Sequence, residues 1–314
     1  MQKRLLFVFI FIITLFLAQP NYGRAATVYV IAGADNSSPA LHDIWKTTDM
    51  INWTTSTALF GSRYAHAGTT YLGNLLITGG FLPGTGIYSD AWRSINGTTW
   101  TQLNPTTNLL PVWEHAMATF AGKAWILGGS HQTGLTNEIL STINSTIWTT
   151  EPTPPWTARL GHTATAFNNK LYIIGGSAGN DAQTQEVWSL SNEMVWHKDA
   201  ENIQAASRTR HTAIVFKKKL WVLGGVSTAG LGLLNDVWYT TNGTTWTQAP
   251  NAPWTTRREL QSVVLNGKLY IMGGTDWTGT LKNDIWSTTD GVSWVQETSA
   301  APWSGRTDFV VLKK

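Results

Sequence analysis

Five arginines recur along this chain at comparable places: Arg63, Arg159, Arg208, Arg257 and Arg306. Three residues after three of them comes a histidine, at His66, His162 and His211, and His115 holds the matching place in the one unit that lacks the arginine. An acidic residue recurs at the same period, as Asp43, Asp90, Glu138, Glu186, Asp236 and Asp284. Guanidinium groups gathered on one face would grip a carboxylate, a sulfated sugar or an acidic peptide. Paired with the repeated acids, they would instead be struts. Five arginines against six acids favour pairing, and Arg159, Arg208 and Arg257 are kept as candidate ligand contacts. The histidines suggest a ring of metal ligands. Leu260 and Phe309 fill the same place in two other units, a substitution that packing accepts and a metal site does not, so no metal is expected.

Residues that break the period carry more information, because repetition cannot explain them. Between the second and third strand of successive units lie Phe81 and Tyr88, His131, Asp181, and Asp276 with Trp277. An aromatic beside an acid can stack on the apolar face of a sugar and accept from its hydroxyls. Of these, Trp277, Asp276, His131, Tyr88 and Phe81 are the candidate ligand contacts. No catalytic set is read: there is no serine nucleophile motif, and the Gly-Gly pairs end strands without leading into a phosphate-cradling helix.

The elements that position these residues follow from the repeat. Gly-Gly pairs end at Gly80, Gly129, Gly176, Gly225 and Gly274, and a degenerate copy ends at Gly33. A period near fifty residues points to a β-propeller. Each unit reads as four short strands, in the fourth unit His162 to Phe167, Lys170 to Ile174, Glu186 to Ser189 and a last strand at Trp196. Asn-Gly or Asp-Gly at Asn96, Asn242 and Asp290 predicts two-residue hairpins between third and fourth strands. Seventeen of the 18 tryptophans fall on this template and read as core; the exception is Trp277. The first unit lacks its first strand, and Arg306 to Leu312 at the C-terminus supplies one. The expected fold is therefore all-β, a six-bladed β-propeller of four-stranded antiparallel blades, closed by the C-terminal strand completing the first blade. Tight turns should occupy one face. The opposite face should carry the long loops and the blade connections, and any ligand should approach there.

The apolar strand ending in Gly-Gly and the downstream tryptophan resemble the kelch repeat, as in kelch-type propellers and the central domain of galactose oxidase. The resemblance spans residues 26–314. It implies many possible functions. The copper centre of galactose oxidase needs a cysteine–tyrosine crosslink, and this chain has no cysteine, so no cofactor is expected. Some six-bladed kelch propellers are sialic acid mutarotases, which implies a periplasmic sugar-modifying enzyme as the alternative function. Such an enzyme would need ionisable residues converging on the channel mouth without ion-pair partners.

Residues 1–25 read as a signal peptide: Lys3 and Arg4, the apolar run Leu5 to Ala18, then Gly23-Arg24-Ala25. Its removal takes three of the 22 basic residues and none of the 19 acids, leaving a neutral domain at 26–314 with no signature of nucleic-acid binding. Absence of cysteine in an exported chain points to a bacterial periplasmic or secreted protein. The reading is an exported, non-catalytic binding or interaction scaffold, monomeric, without a membrane span once the signal is cleaved. Its expected ligand is a carbohydrate or another protein on the long-loop face.

Overall fold

Leu171–Ile174, the apolar run before Gly175-Gly176, is buried along its whole length, as are Leu75–Thr78 and Leu220–Leu223 in neighbouring units. A strand covered on both faces reads as a continuous apolar run, and here the covering layers are the adjacent blades. The computed structural model describes residues 25–103, 109–179, 184–201, 205, 207–227 and 232–314. The apolar N-terminus through Arg24 and the candidate Asp181 lie outside the described residues.

Six four-stranded antiparallel sheets are arranged as a propeller. In the fourth blade the strands are Thr163–Phe167, Lys170–Ile174, Val187–Ser191 and Trp196–Ala200. The C-terminal strand Val310–Lys313 pairs antiparallel with Val28–Gly33 and becomes the innermost strand of the first blade. This closure removes the open sheet edges that an incomplete ring would present. No helix among the described residues is long and apolar enough to cross a membrane.

The Gly-Gly pair has a specific cause. In five blades a β-carbon on the second glycine would lie 2.7–2.9 Å from the side chain or backbone of the His66, His115, His162, His211 or Leu260 position of its own blade. On the first glycine, it would strike the next blade: Gly128 meets His162 at 2.8 Å, Gly224 meets Leu260 at 2.9 Å and Gly273 meets Phe309 at 2.5 Å. His115, His162, Leu260 and Phe309 are thus each wedged between two blades and seated on two glycines. The second glycine's N–H also crosses to the next blade. Gly176 donates to Arg208 O and Gly225 to Arg257 O, both at 2.9 Å, and the same bond recurs around all six blades.

The turn chemistry differs from expectation. Ser94 pairs with Trp100, so the third-to-fourth connection is a five-residue loop. Asn96 is not in the left-handed region; its Oδ1 accepts the N–H groups of Thr98 and Thr99, both at 2.9 Å, and only Gly97 has positive φ. The same arrangement holds at Asn242 and Asp290. A side-chain turn of this kind explains the repeated Asn or Asp without a two-residue hairpin. The two-residue turns are the first-to-second ones, such as Leu72-Gly73 and Asn168-Asn169, where both residues have positive φ.

Candidate functional site

Arg63, Arg208, Arg257 and Arg306 each fork onto the acid of the same blade, Asp90, Asp236, Asp284 and Asp43, with N–O distances of 2.5–2.9 Å. Arg159 reaches Glu186 at 3.0 Å and Thr184 at 2.9 Å. All five guanidinium side chains are fully buried, and each donates again to the carbonyl preceding the last glycine of the pair. The acid also accepts an indole N–H two residues on, from Trp45, Trp92, Trp188, Trp238 or Trp286, at 2.7–2.9 Å. Burial opposes ionisation of Glu186, but the bonds from Trp188, Lys198 and Arg159 prevail and bring it down to about 2. Arg159, Arg208 and Arg257 are therefore not ligand contacts: their donors are spent inside the blades. In blade three, Val112 replaces the arginine and Leu140 the tryptophan, so both donors to Glu138 are lost together.

Two residues past each arginine position the chain reaches the propeller axis, at Ala65, Glu114, Gly161, Arg210, Glu259 and Asp308. All six take left-handed backbone conformations, with φ between +49° and +63°, which non-glycine residues seldom adopt. Inter-blade hydrogen bonds hold them there: Ala65 N–H donates to Asp308 O, Glu114 to Ala65, Gly161 to Glu114, Arg210 to Gly161 and Glu259 to Arg210, at 2.8–3.1 Å. Strain maintained by a surrounding framework is a common mark of functional positions.

The side chains on this ring are unlike one another. Arg210 binds Glu114 through Nε at 3.2 Å and Nη2 at 2.6 Å, and Glu259 through Nη1 at 3.2 Å. Arg258 lies 3.6 Å from Glu259, which also accepts from the Thr307 hydroxyl. Asp308 has no hydrogen-bond or ion-pair partner for its carboxyl among the described residues. Its burial, reinforced by the charges of Glu259 and Glu114, raises its pKa well above the ordinary 3.8. Beneath the ring, His66, His115, His162 and His211 are buried. His115 meets Thr78 Oγ1 at 2.8 Å and His211 meets Thr163 Oγ1 at 3.0 Å; His162 lies against the Leu127 backbone, and neither nitrogen of His66 has a partner among the described residues. Burial lowers His115 and His162 to about 3. The resulting axial cavity of about 120 Å³ is lined by ring residues from all six blades and imidazoles from four.

The candidates read from sequence do not form one site. Trp277 is 79% exposed at the tip of a turn, but the Asp276 carboxylate beside it is buried and occupied by the Thr278 and Thr280 N–H groups, the Thr278 hydroxyl and Lys282 at 2.6 Å. Those bonds outweigh its burial and lower its pKa, so Asp276 shapes the turn and has no free acceptor for a sugar. Tyr88 lies with its ring 4.3 Å from the Arg63 guanidinium and its hydroxyl on Ser62 O. His131 ends the long second strand of blade three, paired with Gly134, and is half-buried. Phe81 packs edge-on against Tyr64 and tilted against Trp113, neighbours in sequence of the ring residues Ala65 and Glu114. Glu114, Arg210, Glu259 and Asp308 are not among the candidates read from sequence.

A closed ring of four-stranded blades with Gly-Gly strand ends and a buried Arg–acid–Trp unit defines a kelch-type propeller. The model of the KLHDC2/KLHL20/DRC7 Kelch-repeats domain matches residues 114–296, and the chain belongs to the kelch-repeat family. It is 24% identical over 279 residues to the Leucine-zipper-like transcriptional regulator 1 of Homo sapiens, covering 79% of this chain and 32% of that protein. It is 33% identical over 116 residues to the human Rab9 effector protein with kelch motifs, covering 35% of this chain and 31% of that protein. The chain thus spans about a third of the length of these curated relatives. Among solved structures, that of YjhT superposes with a TM-score of 0.72 at 19% identity, over 87% of this chain and 94% of that one.

Proposed function

We propose that this chain is an exported binding propeller that takes a protein or carbohydrate ligand at the axial mouth of its long-loop face, with Trp277 as an outlying contact. One observation carries this reading. At the axis, six equivalent backbone positions carry four different charged residues, where structure alone would be served by six small ones. The blade arginines are consumed internally, so the charge within a ligand's reach is that of the mouth. Kelch membership favours a binding role, as does similarity to a protein named as a Rab9 effector. Export rests on the apolar N-terminal segment.

Asp308 favours a second reading. A carboxyl that keeps its proton beside carboxylates ion-paired to Arg210 is the acid half of an acid–base pair, as exchange at a sugar's anomeric centre would need. Both readings are tested by applying the purified full chain to glycan and peptide arrays and measuring anomer exchange of any bound sugar by NMR. A hit that survives substitution of Asp308 and Ala65 would place the ligand elsewhere and overturn the binding assignment. Unchanged anomer exchange would remove the enzymatic one.

A further inference from the structure

The axial cavity is rich in acceptors and poor in free donors. Three carboxylates face it, from blades one, three and six, against the single Arg210 of blade five. That guanidinium already engages Nε and Nη2 with Glu114 and Nη1 with Glu259, so its positive charge is balanced within the mouth. Deeper in, His66 is 5% exposed and unpartnered among the described residues, and its neutral imidazole offers one lone pair and one N–H. Blades two and four place the small residues Ala65 and Gly161 at the ring, where Thr209 and Arg210 close over Gly161. Tyr64, Phe81 and Trp113 form an aromatic wall outside the cavity lining, its Tyr64 ring close enough to feel the charges of Asp308 and Glu114.

We propose, building on the mouth as the binding site, that it seats one cationic end group, the ammonium of a partner protein's lysine or the guanidinium of its arginine, against Asp308 and the open imidazole of His66. Size supports an end group over a whole small molecule. About 120 Å³ is well below the ~300–1,000 Å³ that drug-sized ligands occupy. The aromatic wall suits the apolar stem of such a side chain and the cation itself. Charge balance follows directly. The free mouth offsets Glu114 and Glu259 with Arg210 and Arg258, and Asp308 holds its proton more tightly there than an ordinary carboxyl does; a bound cation favours the ionised carboxylate, and the proton leaves to solvent.

The test uses twelve-residue Gly-Ser peptides bearing one central Lys, Arg, Gln or Glu, with free putrescine and glucosamine as small-amine probes. Affinity is measured by fluorescence anisotropy, and proton release by calorimetry in two buffers of different ionisation enthalpy. The Lys and Arg peptides should bind at least tenfold more tightly than Gln and Glu, releasing close to one proton each at neutral pH. Asp308→Asn should weaken them tenfold or more while folding normally, since asparagine tolerates the left-handed backbone. Ala65→Leu, which blocks the mouth without touching a charge, should do the same. Binding of the Glu or Gln peptide that Ala65→Leu abolishes would sink the cation while sparing the mouth. Binding indifferent to both variants, or none to any probe, would overturn cation and mouth together. Tighter binding of putrescine or glucosamine than of the Lys peptide would reject a protein side chain as the source.

Discussion

Replacing Arg257 by methionine isolates what the repeated ion pair contributes. The guanidinium is 1% exposed and makes two bonds to Asp284, at 2.5 and 2.8 Å, plus one to Gly273 O and two to Thr255, each at 3.2 Å. Methionine fills much of the volume but leaves Asp284 with the Trp286 indole and only the more distant charge of Lys282, which is itself paired with Asp276. Breaking a buried pair from one side costs about 3–5 kcal/mol, and the unmet Gly273 carbonyl pushes towards the upper end. Against a total of roughly 5–15 kcal/mol for a domain, such a variant is barely stable. The pH dependence is distinctive. In the native protein Arg257 outweighs burial and holds Asp284 below the ordinary 3.8, so its contribution is present above that pH and lost as pH falls. In the variant burial dominates, the folded carboxyl binds its proton more readily than the unfolded one, and the two stability curves converge as pH drops towards 4. Urea unfolding between pH 4 and 7 measures both, and the double variant Arg257→Met, Asp284→Asn should recover at least half of the loss. A cost under about 1 kcal/mol at pH 7, or parallel pH curves, would refute the argument.

Trp277→Ala should change stability by less than about 0.5 kcal/mol, because its ring is exposed. Trp254→Ala, at 2% exposure against Trp286 and Trp294, should cost about 3–5 kcal/mol in the same denaturation assay. Gly176→Ala should lower stability by at least about 2 kcal/mol, since φ is +100° and a β-carbon would sit 2.9 Å from His162 and 3.0 Å from Leu160 O. The buried histidines predict acid lability. His162 titrates at about 3 when folded against 6.5 when unfolded, so stability is lost as pH falls through that window, at about 1.4 kcal/mol per pH unit for each such group. His162→Leu, the residue type blade six uses, should flatten the acid limb by one proton, read from stability curves between pH 4 and 6.

The six-fold repeat, the closing strand and the core tryptophans were legible because each is a periodic apolar signal that survives in every unit. Pairing of the arginines was legible from their balance with the acids, and the joint loss of arginine and tryptophan from blade three is visible as Val112 and Leu140. The turn misreading came from treating Asn96-Gly97 as a hairpin, when the asparagine acts through its side chain. The mouth was hidden for the opposite reason. Its six positions carry Ala65, Glu114, Gly161, Arg210, Glu259 and Asp308, and a reading that seeks sameness passes over a column without consensus. Aligning the residue two past each arginine would have exposed it as the place where the repeat stops repeating. Asp276 misled because an acid beside an exposed aromatic resembles a sugar site, whereas the local backbone uses its oxygens.

The carboxyl carbon of Asp308, followed by ¹³C NMR against pH with Asp308→Asn as the assignment control, tests the mouth most directly. An unpaired, half-buried carboxyl crowded by Glu114 and Glu259 should remain protonated well above the ordinary 3.8. A resonance that titrates at or below that value would mean that the carboxyl is solvated or ion-paired, and the axial site as described here would not exist.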